Sequence, residues 1–483
     1  MLGALNSMGT GQMAFREGTE MKNSMGIRRF ALTCALALLS LAATSPAAAE
    51  ERNQVRIPYQ KEVPDDPYVA SPRAEHPRSP ATRFTRDSFF AVQVNVDDLG
   101  QNIDGDAANE PSIAVDPTDP DKMVIGWRQF DNVASNFRQA GYAYTVDGGQ
   151  TWTFPGVIEP GVFRSDPVLD SDSQGGVYYN SLTVEGSSDY LCDVFRSTEA
   201  GLPWDAGTPA QGGDKQWMVI DKTGGVGDGN IYSFWTSYWS ICGPGFFTRS
   251  VDDGDSYESC VEIPDDPYWG TLAVAPGSGF NPSGVLYTVG AYDDDLVVAR
   301  STNARYAGQA VSWGLSTVVD LGGFIDSRTG PNPEGLLGQA HIATASSDDP
   351  VGHAVYVLCS VNPPGSDPLN VMFAGSTNSG STWSAPVRVN DDSGNAWQWF
   401  GTMSTSPSGR IDAVWLDTRD NPGTYLSSLY YSYSTDGGAT WSANERLSEA
   451  FDPHLGWPNQ NKMGDYFHMV SDDAGFSLAW AAT

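Results

Sequence analysis

Basic side chains are scarce in this chain: 27 Lys and Arg stand against 59 Asp and Glu in 483 residues, a formal net charge of −32. A surface of that sign repels phosphate backbones, which excludes nucleic acid and anionic membrane surfaces as partners. Cysteine is sparse too. Of the five present, Cys34 falls in an N-terminal apolar run, which leaves Cys192, Cys242, Cys260 and Cys359. None has the CxxC spacing of a metal site. In an oxidising compartment four cysteines allow three pairings that spacing does not rank, and isolated buried thiols are the alternative. Long apolar runs are missing beyond residue 43, so no stretch approaches the roughly 20 residues of a membrane helix. Long helices are disfavoured as well, because 52 Gly and 31 Pro punctuate the chain. Such punctuation suits many short strands joined by turns.

What is present begins with an address. Arg28 and Arg29 precede the apolar residues 30–43, and Ala47-Ala48-Ala49 stands before Glu50. This reads as a Sec signal peptide, too short and wrongly flanked for a membrane anchor, with the residues before about Met25 an over-called start. Residues 1–49 are therefore expected to be removed, and the mature protein to be secreted or periplasmic. Residues 50–85, rich in Pro and charge (Pro64-Asp65-Asp66-Pro67, then Pro72, Pro77 and Pro80), read as a disordered arm. Residues 86–483 carry the fold, starting with a lone alternating strand over 89–96.

Beyond it the chain repeats. Thr145-Val146-Asp147-Gly148-Gly149-Gln150-Thr151-Trp152 and Ser434-Thr435-Asp436-Gly437-Gly438-Ala439-Thr440-Trp441 share the pattern S/T-x-D-x-G-x-T-W. Ser376 to Trp383 and Ser250 to Tyr257 are further copies, and decayed ones start at Ser197 and Ser301. The Asp or Asn accepts backbone N–H groups across a tight turn. The Gly takes a conformation that a Cβ opposes, and the Trp enters the apolar seam beside the hairpin. Each copy should close a hairpin between two outer strands.

A second repeat alternates with the first. Inner-strand openings recur at Glu110, Asp166, Gln216, Trp269, His341, Phe400 and Tyr466, each followed by a β-rich partner. Seven inner pairs and six hairpins imply units of about 50 residues, the size of one propeller blade. The expectation is an all-β propeller of seven blades, with six as the alternative. Because a ring must close without open edges, the strand at 89–96 is expected to complete the last blade beside the C-terminal pair.

Asp-box turns on a propeller resemble the sialidase superfamily, and the resemblance covers about residues 88–483. It implies a ligand face where inner strands begin and second strands end, with the boxes on the opposite face. That family holds a sugar carboxylate with three arginines, the first in an Arg-Ile-Pro motif that opens the first blade. Here Asn109-Glu110-Pro111-Ser112-Ile113 stands in that place, so this arginine is missing. Arg56-Ile57-Pro58 matches the letters but lies in the arm. By resemblance Tyr466 is the nucleophile and Asp131 the acid/base, while Arg128 and Arg419 clamp substrate. Glu334 is the loose candidate for the glutamate that assists the tyrosine. Glu110, Asp166, His341 and Asp417 lie at inner-strand starts or second-strand ends, where they would reach ligand.

Each assignment has a plainer counterpart. Arg128 and Arg419 are equally read as blade-to-blade salt bridges, Tyr466 as a buried strand aromatic and His341 as a satisfied rim histidine. Asp166, Asp214 and Glu110 are read either as ringing the channel or as bonding backbone within blades. Asp293-Asp294-Asp295 offers oxygen ligands to Ca²⁺ or is a solvated acidic loop; no cofactor is required. Two functions follow, a sialidase-like glycoside hydrolase or a non-catalytic propeller binding glycan or an extracellular protein. One or two arginines in so acidic a field make a weak carboxylate clamp, which favours a neutral glycan.

Overall fold

The computed structural model describes residues 66–483 apart from 186–188, 238–239, 278–282 and 346–353, together with the backbone of residues 2–7. The apolar leader segment and the arm before residue 66 lie outside the described residues. The described part is all-β, with one short 3-10 turn at Arg73–Glu75, and no helix in it is long and apolar enough to cross a membrane.

Six blades are meanders of consecutive antiparallel strands. Their inner strands are Ala107–Val115, Ser165–Ser171, Trp217–Ile220, Leu272–Ala275, His341–Thr344 and Gln398–Thr405. A composite five-stranded sheet closes the ring, in the order Arg83–Arg86, Phe89–Gln93, Leu2–Ser7, Phe476–Ala481, His468–Ser471. The six blades match the alternative count read from sequence rather than the favoured seven, and the sheet assembled from both ends takes the place of the seventh. The closing strand differs from expectation. Phe89–Gln93 belongs to this sheet, but Leu2–Ser7 lies between it and Phe476–Ala481, with Leu5 opposite both Ala91 and Leu478.

Polar side chains stitch neighbouring blades. Ser112 Oγ accepts the Leu169 N–H of blade 2 at 2.8 Å, and Asp170 Oδ2 accepts the Ile220 N–H of blade 3 at 2.8 Å. Ser360 Oγ takes Gly401 N–H at 2.9 Å, and Ser404 Oγ takes Ser471 N–H at 3.0 Å. Inner strands leave N–H groups facing the preceding blade, and a buried donor without a partner costs about 1–3 kcal/mol. Between the polar seams the blades bury apolar faces, for example Val124, Leu169 and Tyr179 between blades 1 and 2.

The repeated turns form as their pattern predicts. Asp147 Oδ1 accepts Thr151 N–H at 2.9 Å and its Oδ2 accepts the Thr151 hydroxyl at 2.6 Å, while Trp152 Nε1 donates to Gly149 O at 3.1 Å. Asp436 repeats the pair of bonds to Thr440 at 2.9 and 2.6 Å. Gly438 shows why glycine is needed, since at φ 85° a Cβ there would stand 2.0 Å from the Phe373 ring.

Blade 3 has only three strands. A disulfide between Cys242 and Cys260 pins the following segment beside its third strand, where Val261 bridges Phe247. Cys192 and Cys359 are buried free thiols. The arm is not loose from residue 66 onward. Asp66 and Asn136 exchange bonds of 3.1 and 2.8 Å, and Arg73 lies 4.3 Å over the Phe154 ring while donating to Phe154 O and Pro155 O. An arginine stacked on a ring with both ends bonded holds the chain to blade 1 despite the prolines.

Candidate functional site at the channel mouth

The inner strands open on a recurring strained residue. Glu110 (φ 51°), Asp166 (46°), Lys215 (56°), Trp269 (54°) and Phe400 (57°) all adopt left-handed backbone where blades 1, 2, 3, 4 and 6 begin, and Gly464 (97°) does so before the closing sheet. Register shifts mark the same places in blades 1, 2 and 6. A bulge with positive φ costs energy in a non-glycine residue and re-aims the side chain. Here it turns three charged side chains toward one end of the channel.

They meet in a closed ion cluster. Arg128 Nε lies 3.1 Å from Glu110 Oε2 and donates to Asn109 Oδ1 at 2.8 Å. Asp465 Oδ2 receives Lys215 Nζ at 2.6 Å and Lys462 Nζ at 2.8 Å, and its Oδ1 accepts Leu336 N–H at 2.8 Å. Lys215 Nζ also lies 3.5 Å from Asp166 and 3.9 Å from Asp214. Glu110, Arg128, Asp166, Lys462 and Asp465 are all at most 1% exposed. Burial pushes the Glu110 carboxyl well above its usual range, and Asp166 and Asp465 add to the rise against Arg128. Burial opposes ionisation of Asp465 too, but Lys215 and Lys462 hold it well below the carboxylate range. With four carboxyls facing three cations, a proton on Glu110 makes the cluster neutral.

The cluster is lidded. The hairpin of Ser327–Thr329 and Asn332–Leu336 enters between blades 4 and 5. Asn332 bonds Met463 N and Gly464 O at 2.9 and 2.8 Å, and Glu334 bonds Asn461. Gly464 in turn lies so close to Glu110 that a Cβ would stand 2.6 Å from its Cγ. Glu334 thus holds the lid and is not beside a tyrosine hydroxyl.

Aromatic and imidazole rings from the same inner-strand segments pack together beside the cluster. Trp217 packs edge-on against Tyr466 (5.3 Å), His468 (5.2 Å) and His341 (6.1 Å). Burial lowers His341 to about 3 and His468 to about 4, so both are neutral at pH 7. Tyr466 is 2% exposed and its hydroxyl donates to Pro167 O at 2.8 Å. Burial, with Glu110 and Asp166, drives its ionisation well above the ordinary phenol range. The nucleophile assignment does not fit these surroundings, which are those of a buried core aromatic just ahead of the strand His468–Ser471.

The remaining sequence candidates lie elsewhere. Asp417 and Arg419 pair at 2.8 Å in blade 6, where Arg419 also reaches Asp391 at 2.6 Å and lies 4.5 Å over Tyr430. Trp415 Nε1 donates to Asp417 Oδ2 at 2.8 Å. That is the salt-bridge reading. Asp131 stands outside the cluster, half-buried, with Gln139 Nε2 donating to it at 2.8 Å. Burial raises its carboxyl, with Gln139, Arg73 and His76 opposing. So Glu110, Arg128 and Asp166 come together, His341 and Tyr466 lie beside them, and Asp131, Asp417 and Arg419 are apart. Sequence reasoning missed Lys215, Lys462 and Asp465 as partners. Lys215 carried one signal, a lysine at an inner-strand opening in a chain poor in lysine. Among the described residues no group of three or more His, Cys, Asp or Glu converges for a metal, the run Asp293-Asp294-Asp295 included.

What fold and site define is a β-propeller whose inner strands meet in a buried ion cluster and a cluster of packed rings. No family model matches the chain, and no curated protein matches it. Among solved structures it is similar to a protein of unknown function from Dyadobacter fermentans (14% identity, 78% of this chain and 97% of that one, TM-score 0.41). A GH93 α-L-arabinofuranosidase of Fusarium graminearum with arabinobiose matches at 15% identity over 50% of this chain and 68% of its own, TM-score 0.35. A triple arginine-to-alanine mutant of AofleA from Arthrobotrys oligospora matches at 11% identity over 73% and 92%, TM-score 0.41. Likeness of this degree transfers no residue role and no ligand.

Proposed function

We propose that this chain is a secreted, sialidase-like Asp-box propeller that binds extracellular neutral glycans without hydrolysing them. One observation carries the choice of binding over catalysis: the residues standing where the sialidase machinery would be are already committed inside the protein. The Tyr466 hydroxyl donates to Pro167 O, Arg128 pairs with Glu110, and Arg419 pairs with Asp417 and Asp391. A nucleophile must reach substrate and be ionisable by a neighbouring base, and a buried phenol bonded to a carbonyl does neither. A charge of −32 also disfavours an anionic sugar. No cofactor is needed for such binding. The test pairs a fluorogenic sialoside and a panel of neutral glycosides with a glycan array. No turnover and retention of neutral glycans are expected. Turnover that disappears in Tyr466→Phe or Asp131→Asn would replace this reading with the hydrolase.

A further inference from the structure

The docked arm builds a cavity of about 350 Å³ on the side of blade 1. One wall is residues 66–71 of the arm, the other residues 131–139 after the second strand. Both ends of the arm wall are fixed, by Asp66 on Asn136 and by Ser71 Oγ 2.8 Å from Nε2 of His76, whose Nδ1 in turn lies 2.9 Å from Asp104 O. Tyr68 is 40% exposed, packs 5.4 Å from Phe137, and lies across Gly161, where a Cβ would meet its ring at 3.3 Å. Opposite stand Asp131 and Gln139, bonded to each other, and the Gln139 oxygen is oriented by Gly161 N–H at 2.7 Å. Asn132 and Ser135 complete a polar rim.

We infer that this cleft between arm and blade 1 binds one or two residues of a neutral sugar. The inference rests on the glycan reading above and gives it a site away from the buried ion cluster. An exposed ring beside a carboxylate and an amide matches a sugar's apolar C–H face and its hydroxyls. The volume falls at the low end of the roughly 300–1,000 Å³ of small-ligand sites. The ionisable side chains lining the cleft other than Tyr68 are Asp66 and Asp131, so a carboxylated or phosphorylated sugar is repelled. Arg73 lies near Asp131 but outside the lining, so the charge presented to a ligand is that of the carboxylates.

The experiment is calorimetric titration of the full chain with neutral methyl glycosides, N-acetylneuraminic acid and glucosamine, alongside the glycan array. Neutral glycosides should bind, weaken at least tenfold in Tyr68→Ala and Asp131→Asn, and be retained in Tyr68→Phe. Ala134→Trp, a change at an exposed lining residue that leaves the arm's anchors intact, should block binding with an unchanged melting midpoint. Neutral glycans bound equally well by wild type and by these variants would overturn the site and leave the proposed function standing. Selective binding of glucosamine or N-acetylneuraminic acid would overturn the ligand class. An array on which wild type retains no neutral glycan would overturn both readings.

Discussion

Glu110 and Asp465 sit in one buried cluster, yet their substitutions should behave in opposite ways. If Glu110 carries the proton that leaves three carboxylates to balance three cations, then Glu110→Gln replaces a neutral acid by a neutral amide and should leave the unfolding free energy within about 1 kcal/mol of wild type. Asp465→Asn strips Lys215 and Lys462 of their shared carboxylate and should cost about 3–5 kcal/mol, the usual penalty for orphaning a buried charge. Urea titration of both variants decides, and equal losses would refute the assigned proton. The two buried histidines set an acid limit by the same kind of accounting. His341 and His468 bind protons at about 3 and about 4 when folded, against about 6.5 when unfolded. Their contribution is complete above pH 6.5 and is lost as pH falls from there toward 4 and 3, because the unfolded chain takes up protons first. The variant His341→Phe/His468→Gln should flatten the decline of stability between pH 6.5 and 4; an unaltered slope would assign the acid loss to other groups. Of this cluster the sequence discloses Glu110, Asp166 and Arg128, because strand openings can be located from a repeat. It does not disclose that Lys462, in an irregular segment, reaches across to blade 1, since that contact depends on a lid closing over the mouth.

Blades differ in how their outer edges are fastened, and this can be measured blade by blade. Where the S/T-x-D-x-G-x-T-W turn is intact, one carboxylate organises the hairpin. Asp436 is largely exposed and is held below its usual range by bonds to Thr440 and Ser434. Discounted for solvent screening, Asp436→Ala should cost about 1 kcal/mol in thermal melts and leave glycan binding unchanged. A loss of binding would place that turn in the ligand site. Blade 3 lacks a fourth strand and uses the Cys242–Cys260 link over a separation of 18 residues. Closing a loop of that size constrains the unfolded chain by about 3 kcal/mol, so Cys242→Ser/Cys260→Ser should lower stability by that order in urea, and no change would make the link incidental. The turns were legible because each is a local bargain among eight residues. The pairing of cysteines was not, since it depends on how a missing strand is replaced. The part of the arm from residue 66 onward was misjudged for a related reason. Prolines and charges argue against a core of its own, but they do not prevent docking on a surface that offers Phe154 to Arg73 and Phe137 to Tyr68.

At the scale of the whole molecule, closure and charge act against each other. The ring is completed by a sheet drawn from distant parts of the sequence; its Leu2–Ser7 strand lies in the segment expected to be removed as a signal peptide, so in the secreted protein Phe89–Gln93 and Phe476–Ala481 are the strands that remain to cover that edge. Against closure works the self-repulsion of a chain whose formal net charge is −32. The internal ion pairs around Asp465 are buried and shielded from salt, whereas the surface excess is screened over a Debye length that shrinks from about 30 Å at 0.01 M to about 3 Å at 1 M. The sign of the salt response is therefore set by the repulsive surface and not by the attractive interior. Raising sodium chloride from 0.01 to about 0.5 M should raise the melting midpoint by a few degrees, and neutral-glycan affinity should change little because no charge is matched across that contact. A midpoint that falls with salt would mean that exposed pairs such as Arg446–Glu449 and Lys122–Asp119 hold the ring more firmly than repulsion loosens it. Pairs of that kind contribute about 0–1 kcal/mol each, too little to outweigh a charge imbalance spread over the whole surface.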